Sequence, residues 1–327
     1  MDNKQNIIFI TGLTASGKSD LALWLANKIN GEIINADSRQ VYKYLDIGSG
    51  KIEIKRLKEI KIKSKKFIVS YSKKFNIPHY LISQQHPKYN YSLGKWLNDV
   101  DILIDYLNKK NKKIIICGGT ILYLKAIKEG WRLPEVTPNY KLRNMLNKLS
   151  TKELYDYLYN LDRNRAQNID RFNRKRLVRA IEIAKSIGII PPLLKIPKYR
   201  ILILAPNFNW LNLERKIRQR LKLRSFGIIK EIIKLRKISL SFERIISFGL
   251  EYRWFGLLIK NLNISKISLN YFKKLIKSNF YENIFESCYR DIKKFAKKQF
   301  RELKKINDVI WVDKRKNCLQ ILNNYFN

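Results

Sequence analysis

Residues that form disulfide bonds or bind zinc are scarce in this sequence. Its 327 residues include three cysteines and two histidines. Cys117, Cys288 and Cys318 show no paired or metal-like spacing. The scarcity argues against a disulfide framework and against a zinc site, and it fits a reducing cytoplasm.

Long hydrophobic runs are also missing. Apolar runs such as those at residues 114–117 and 201–205 are far too short to span a bilayer, and they are typical of buried parallel strands. The first such run begins at residue 7, which leaves no room for a signal peptide before it. We therefore expect a soluble, cytoplasmic monomer that does not bind membranes.

Acidic residues are few relative to basic ones. The chain has 27 Asp and Glu against 67 Lys and Arg, and its formal net charge is +40. Such an excess predicts a nucleic-acid partner, because cationic side chains neutralise phosphates and release counterions. A genome of biased base composition would also enrich lysine without selection for binding. The basic residues cluster on particular predicted helices, however, and this favours a polyanionic partner.

A glycine-rich loop is the most informative motif of the chain. The sequence GLTASGKS lies after an apolar run at 7–10 and before an amphipathic segment at 20–27. A strand, a glycine loop and a helix N-terminus in this order form a phosphate cradle. In it, Lys18 supplies positive charge and the Ser19 hydroxyl can bind Mg²⁺, so the expected ligand is a diphosphate or a polyphosphate such as ATP. The residues assigned to phosphate binding are Gly12, Leu13, Thr14, Ala15, Ser16, Gly17, Lys18 and Ser19.

Two other polar segments follow predicted strands and should lie at the same edge of the sheet. Asp37 comes after the predicted strand at 32–35, and residues 118–120 come after the apolar run that ends at 117. Ligands of open α/β folds bind at this carboxyl edge. A carboxylate near a phosphate site can bind Mg²⁺ or accept a proton. The alternative is that Asp37 only caps the start of a helix.

The order of apolar and basic segments predicts an inserted domain. Strand–helix alternation in the first third of the chain predicts an α/β fold, with a parallel P-loop sheet and helices on both faces. We divide the chain into a first core part at 1–134, a small helical insert at 135–188 and a second, mostly helical core part at 189–327. The insert is rich in arginine, and we expect it to bind the nucleic acid.

Two features of other P-loop proteins are missing from the sequence. No predicted strand ends in four apolar residues followed by the aspartate that nucleotide-hydrolysing proteins use for Mg²⁺, and no Arg-rich lid motif is obvious. The loop is therefore expected to hold a diphosphate for a purpose other than nucleotide hydrolysis. A kinase of a nucleoside or another small molecule is the competing class.

A series of short motifs over nearly the whole chain resembles the tRNA dimethylallyltransferases. In that family the loop holds dimethylallyl diphosphate, and the second substrate is a tRNA whose reacting adenosine lies just 3′ of the anticodon, in the anticodon stem-loop. The motifs lie at residues 12–19, 35–42, 46–48, 78–82, 91–92, 117–123, 176–182, 205–206, 249–252 and 295–299.

The resemblance implies a role for each matching residue. Asp37 stands at the position of the base that takes a proton from adenine N6, and Thr14 matches a threonine near that nitrogen. Lys293 stands where many members carry an arginine that binds the leaving diphosphate. Mg²⁺, bound in part by Ser19, is the implied cofactor. The residues implied to contact the tRNA are Ser38, Arg39, Gln40, Gly118, Thr120, Tyr123, Arg163, Arg165, Arg174 and Arg176.

The chain departs from the family pattern at several positions. Ser83 and His86 stand where acidic residues are usual, and Lys293 stands where arginine is common. Lysine keeps the positive charge but loses the bidentate fork, so a lower rate with retained function is expected. A degraded, purely RNA-binding relative is a further alternative. Retention of both Lys18 and Asp37 argues against it.

Overall fold

Strands and helices alternate at both ends of the first 128 residues, as the sequence predicts, but four strands follow one another between residues 31 and 80. The structure, a computed structural model, describes residues 4–313 and 315–326. Up to residue 128 the elements are β1 (Gln5–Ile10), α1 (Lys18–Ile29), β2 (Gly31–Asn35), β3 (Ile54–Ile62), β4 (Lys65–Ser72), β5 (Pro78–Tyr80), α2 (Leu93–Lys109), β6 (Lys113–Cys117) and α3 (Ile121–Lys128).

The remaining elements begin with two short strands that enclose four helices. These are β7 (Trp131–Arg132), α4 (Tyr140–Leu146), α5 (Thr151–Leu161), α6 (Arg163–Gln167), α7 (Arg174–Ile187) and β8 (Leu194–Lys195). They are followed by β9 (Tyr199–Pro206), α8 (Trp210–Lys237), α9 (Phe242–Ser247), α10 (Leu250–Asn261), α11 (Leu269–Leu275), α12 (Asn279–Lys304), β10 (Val309–Val312) and α13 (Arg315–Phe326). No helix of the described residues is long and apolar enough to cross a membrane.

The described residues form two compact units, of which the smaller is Glu129–Pro197. The predicted insert, 135–188, lies within it. The unit extends beyond those residues because β7 and β8 form an antiparallel pair, with Trp131 opposite Lys195. Its own apolar core includes Leu154, Leu158 and Leu177.

The larger unit is built on an eight-stranded sheet in the order β10-β9-β1-β6-β2-β5-β4-β3. The six strands from β10 to β5 are parallel, which confirms the predicted parallel α/β core. Successive residues of β1 contribute to two different apolar cores. Ile7 and Phe9 belong to a core that also contains residues of α2 and α8. Ile8 and Ile10 belong to a core that also contains residues of α1 and α13. Because side chains alternate along a strand, helices cover both faces of the sheet, as predicted.

The sequence interpretation missed the antiparallel hairpin at one end of the sheet. β3 and β4 are joined by Lys63 and Ser64, whose φ angles of 44° and 63° match the two-residue turns that suit a twisted hairpin. β3 lies at the edge of the sheet, and residues 55–59 are all exposed. Only Ile62 of this lysine-rich edge strand is buried, and most of the strand lacks the regular alternation of apolar and polar residues that reveals a strand.

Candidate active site

The glycine loop joins β1 to α1 in a conformation that depends on its glycines. Gly12 has a φ of 141°, and a Cβ there would lie 2.9 Å from the Ser16 hydroxyl oxygen. Gly17 has a φ of 88° and is the N-cap of α1, which no side chain caps. The first N–H groups of a helix have no intrahelical acceptor. The start of α1, at Lys18, can therefore receive an anion.

The side chain of Lys18 contacts the backbone of the glycine loop. Its ammonium donates to the carbonyl oxygen of Leu13 at 3.3 Å, so the side chain folds back over the loop. Burial lowers the pKa of Lys18, and the nearby carboxylate of Asp37 opposes this change. The interaction between the two charges places the cation of the loop and the candidate base in one site.

Side chains from two distant helices hold Thr14. Its backbone N–H donates to Gln299 Oε1 at 2.9 Å, and Gln299 Nε2 donates to the carbonyl oxygen of Gly119 at 2.8 Å. Its hydroxyl oxygen accepts a hydrogen bond from Arg220 Nη2 at 2.7 Å. A Cβ at Gly119 would lie 2.7 Å from Gln299 Nε2. The buried amide of Gln299 therefore ties the loop after β1 to the loop after β6.

Asp37 lies just beyond the carboxyl end of β2. Its Oδ1 accepts hydrogen bonds from the backbone N–H groups of Arg39 at 2.9 Å and Gln40 at 3.3 Å. No helix begins after Asp37, because the next element is β3, so these bonds order a turn and the helix cap considered from the sequence is not formed. The hydrogen bonds of this carboxylate to other described residues all use Oδ1. This geometry orients the carboxylate and leaves Oδ2 for a proton.

The loops after β2 and β6 lie against each other, as their shared sheet edge predicts. The Ser38 N–H donates to Thr120 Oγ1 at 3.0 Å, and the Thr120 N–H donates to the carbonyl oxygen of Ala36 at 3.3 Å. A Cβ at Gly118 would lie 2.1 Å from backbone atoms of Ala36. Only glycine allows this approach.

Three residues that the resemblance assigns to tRNA have internal partners. Arg39 Nη1 donates to Glu251 Oε2 at 2.7 Å. Burial would lower the pKa of Arg39, but the carboxylates of Glu251 and Asp37 raise it above its ordinary value. Gln40 donates to two backbone carbonyls at 3.3 Å, and buried Tyr123 stacks on Trp96 with ring centroids 4.3 Å apart. Their contact with tRNA stays a prediction.

Lys293, which the resemblance assigns to the leaving diphosphate, has a carboxylate partner on α8. Its ammonium pairs with Glu214 Oε2 on α8 at 2.8 Å, and the hydrogen bond to that carboxylate raises its pKa. Thr14 is instead held by Arg220 and Gln299, to which the sequence interpretation gave no role. The participation of Lys293 in diphosphate binding stays a prediction.

A pocket opens at the junction of the glycine loop and the strand ends. Its wall combines two kinds of side chain: polar ones that include Lys18, Ser19 and Asp37, and apolar ones that include Ile33, Ile52 and Ile82. The polar groups suit a charged diphosphate, and the apolar groups suit a hydrocarbon. The arrangement can therefore bind a compact amphipathic diphosphate and place a carboxylate beside it.

No group of three His, Cys, Asp or Glu residues that could hold a metal ion occurs among the described residues. Mg²⁺ does not need such a cage, because it usually keeps waters and binds through one or two protein groups plus substrate phosphates. Ser19, at the start of α1 and in the wall of the pocket, fits this mode of binding. It is the residue that would hold Mg²⁺ together with a diphosphate.

The four candidate RNA-binding arginines of the smaller unit differ in their surroundings. Arg163, Arg165 and Arg176 are exposed. Arg174 donates to the carbonyl oxygens of Leu149 at 2.5 Å and Leu146 at 3.0 Å. It therefore satisfies backbone groups at the end of α4, and its substitution would disturb the unit as well as any RNA contact.

Comparisons with known proteins identify the family of this chain. The model of the IPP transferase family matches residues 40–305. A tRNA dimethylallyltransferase of Clostridioides difficile is 29% identical over 320 residues, which cover 94% of this chain and 91% of that protein. A tRNA dimethylallyltransferase 2 of Shewanella sediminis is 34% identical over 75% of this chain and 76% of that protein.

Solved structures show the same fold. A tRNA delta(2)-isopentenylpyrophosphate transferase from Staphylococcus epidermidis is 25% identical, with a TM-score of 0.62 and coverage of 98% of both chains. A eukaryotic dimethylallyltransferase, described as acting on tRNA, has a TM-score of 0.69 at 21% identity over 94% of this chain and 74% of that chain. The extent of the family match and the identity to the relatives lead to one conclusion: this chain belongs to the IPP transferase family.

Proposed function

We propose that this enzyme transfers a dimethylallyl group from dimethylallyl diphosphate to N6 of the adenosine 3′-adjacent to the anticodon of a tRNA. Transfer of a dimethylallyl group to tRNA follows from membership of the family. The observation that supports the specific reaction is the meeting, at one sheet edge, of an anion-binding loop, an apolar pocket and the Asp37 carboxylate.

Binding of the diphosphate is the first task of the site. The N–H groups at the start of α1 and the ammonium of Lys18 provide positive potential around the loop. The guanidinium of Arg220 reaches the same loop through Thr14. When the bond between C1 of the allyl group and the diphosphate oxygen breaks, these groups stabilise the charge that develops on the leaving diphosphate.

The nucleophile is the exocyclic amine of adenine, which is weak because its lone pair is conjugated with the ring. Its nitrogen forms a bond to C1 as the bond from C1 to oxygen breaks. The extra proton on nitrogen passes to Asp37, whose Oδ1 accepts hydrogen bonds from the Arg39 and Gln40 N–H groups and whose Oδ2 is the proposed proton acceptor. Bound Mg²⁺, held in part by Ser19, would add positive charge at the diphosphate.

The second substrate must bring its adenine into the pocket. An adenine stacked in an anticodon loop has to be extruded before chemistry can occur. The exposed arginines of the smaller unit, Arg163, Arg165 and Arg176, are suited to hold backbone phosphates of the anticodon stem-loop. The proposed active form is a monomer.

Thermal unfolding in the presence of ligands tests the proposal. A non-reactive thio-analogue of dimethylallyl diphosphate with Mg²⁺ should raise the Tm of the parent, by an amount that corresponds to about 2.7 kcal/mol at a hundred times its Kd. Lys18→Ala should reduce this rise. A rise with ATP but not with the analogue would instead support the competing kinase class, and no rise with either ligand would favour the inactive RNA-binding relative.

A further inference from the structure

Three aromatic rings on the surface of the larger unit have no role in the proposed chemistry. The ring centroids of Tyr44 and His86 are 6.0 Å apart, and those of His86 and Tyr89 are 6.2 Å apart. Tyr44 is 37% exposed and Tyr89 is 57% exposed. The name "aromatic surface" is used below for Tyr44, His86 and Tyr89.

The aromatic surface lies at the same edge of the sheet as Asp37. Tyr44 follows β2, and His86 and Tyr89 follow β5, which is the parallel neighbour of β2. The two segments are joined by hydrogen bonds from the Lys43 N–H to the Gln85 carbonyl oxygen at 2.8 Å and from the Gln85 N–H to the Val41 carbonyl oxygen at 2.9 Å. Seven residues separate Asp37 from Tyr44, so the two lie within about 25 Å of each other.

The segment that carries His86 and Tyr89 is held in one conformation. Arg244 donates to the carbonyl oxygens of Pro87 at 2.8 Å and Tyr89 at 3.1 Å. The Tyr89 N–H donates to the His86 carbonyl oxygen at 3.1 Å, and the Lys88 N–H donates to His86 Nδ1 at 3.2 Å. A surface that is already ordered loses little conformational entropy when a ligand binds.

Positive charge surrounds the rings. Lys43 precedes Tyr44 and Lys88 precedes Tyr89 in the sequence. The ammonium of Lys234 lies 5.8 Å from the centroid of the Tyr44 ring. Aromatic faces interleaved with cations are the combination that binds single-stranded nucleic acid, because the rings stack on bases and the cations attract phosphates.

We propose that the aromatic surface stacks the unpaired bases next to the reacting adenosine of the anticodon loop. This inference rests on the proposed function, since it concerns the binding of the same tRNA. Extrusion of one adenine removes a stacking partner from the bases on either side of it. Exposed rings at the same edge of the sheet as Asp37 replace the lost stacking and lower the free-energy cost of extrusion.

Alanine variants of the full-length chain test the proposal against a matched control. The variants are Tyr44→Ala and Tyr89→Ala, and the control is Phe75→Ala. Phe75 is 43% exposed, has a lysine ammonium 5.1 Å from its ring centroid and has a φ of 64°, close to the 65° of Tyr44. It lies between β4 and β5, at the opposite edge of the sheet from Asp37.

The measurement is the affinity for a synthetic anticodon stem-loop and for two versions that carry an abasic nucleotide on one side of the reacting adenosine. Each tyrosine variant should bind the intact RNA about five- to a hundredfold more weakly, while Phe75→Ala binds like the parent. In a double-mutant cycle, a tyrosine variant should lose little further affinity when its stacked base is absent.

Two results would overturn the inference while leaving the proposed function intact. One is parent-like affinity of both tyrosine variants, and the other is an equal loss in Phe75→Ala. A parent chain that neither binds nor modifies the stem-loop would instead contradict the proposed function itself.

Discussion

The guanidinium of Arg220 donates a hydrogen bond to the Thr14 hydroxyl oxygen at 2.7 Å, across 206 positions of sequence. Glu251 lies behind this contact, with its carboxylate 4.0 Å from Arg220 and 2.7 Å from Arg39. Burial lowers the pKa of Arg220, and the charge of Glu251 opposes this change. The network therefore links the glycine loop to the segment that begins at Asp37, and it brings a partly buried cation to the place where the diphosphate is proposed to bind.

The contact predicts a large effect of Arg220 on the chemical step. Arg220→Ala should lower kcat about a hundredfold, as expected when a donor to developing negative charge is lost. Arg220→Lys should recover part of this rate, because the charge is kept but the fork is lost. Lys222→Ala, an exposed change on the same helix, serves as the control. Single-turnover rates of the variants check the prediction, and equal rates for Arg220→Ala and Lys222→Ala would contradict it.

Two substitutions at Asp37 separate its hydrogen bonds within the turn from its proposed role as a base. Asp37→Asn can keep the hydrogen bonds from the Arg39 and Gln40 N–H groups, but the amide is a very poor proton acceptor. Both Asp37→Asn and Asp37→Ala should therefore lower the single-turnover rate by about a hundredfold or more, with tRNA affinity nearly unchanged. If Asp37→Asn reacted as fast as the parent, the residue would serve only to order the turn.

The parts of the site that sequence alone could predict are those encoded by short, local patterns. The glycine loop was recognised because strand, loop and helix are consecutive in the chain, and Asp37 because it follows a buried strand. Arg220 had no such signal, since it is one of many basic residues on α8. Only the tertiary contact with Thr14 distinguishes it from its neighbours.

Gln299 illustrates the same limit in a different way. It lies in one of the motifs that carry the family resemblance, yet its neighbours in sequence give no reason for its burial. The structure supplies the reason, because its amide joins Thr14 to Gly119. Likewise Arg174 was grouped with the RNA-binding arginines from composition, and its bonds to the end of α4 are visible only in three dimensions.

His79 predicts a pH dependence of stability. Burial lowers its pKa to about 4, although its hydrogen bond to the Ile77 carbonyl oxygen favours the charged form. The unfolded chain binds this proton near pH 6.5, whereas the folded chain does not. The stability that the neutral His79 contributes is therefore fully present above about pH 6.5 and is lost as the pH falls towards 4. The loss in the free energy of unfolding should be about 3 kcal/mol.

Urea unfolding between pH 7 and pH 4 checks this effect. Carboxylates also titrate in the lower part of the range, so the parent is compared with His79→Asn, which should show a weaker dependence. His86→Asn removes the other histidine of the chain. Its free energy of unfolding should change with pH as that of the parent does. Identical slopes for the parent and His79→Asn would exclude His79 as the cause.

The arginines of the smaller unit should contribute to RNA binding through phosphates. A variant with Arg163, Arg165 and Arg176 changed to alanine should bind the anticodon stem-loop more weakly and reduce the slope of log affinity against log salt by about 0.7 to 0.9 per lost contact. It should bind the dimethylallyl diphosphate analogue like the parent. Arg174→Ala, by contrast, should destabilise the unit, because the carbonyl oxygens of Leu146 and Leu149 lose their donor. Titration at two salt concentrations checks this, and an unchanged affinity and slope would contradict an RNA-binding role.

The most direct test of the proposed reaction is mass spectrometry of nucleosides from unmodified tRNA after incubation with the protein, dimethylallyl diphosphate and Mg²⁺. We expect one adenosine per reactive tRNA, the one 3′-adjacent to the anticodon, to gain a dimethylallyl group at N6, and we expect Asp37→Asn to form far less of this product. Fully unmodified adenosine in the presence of a chain that binds both substrates would contradict the account.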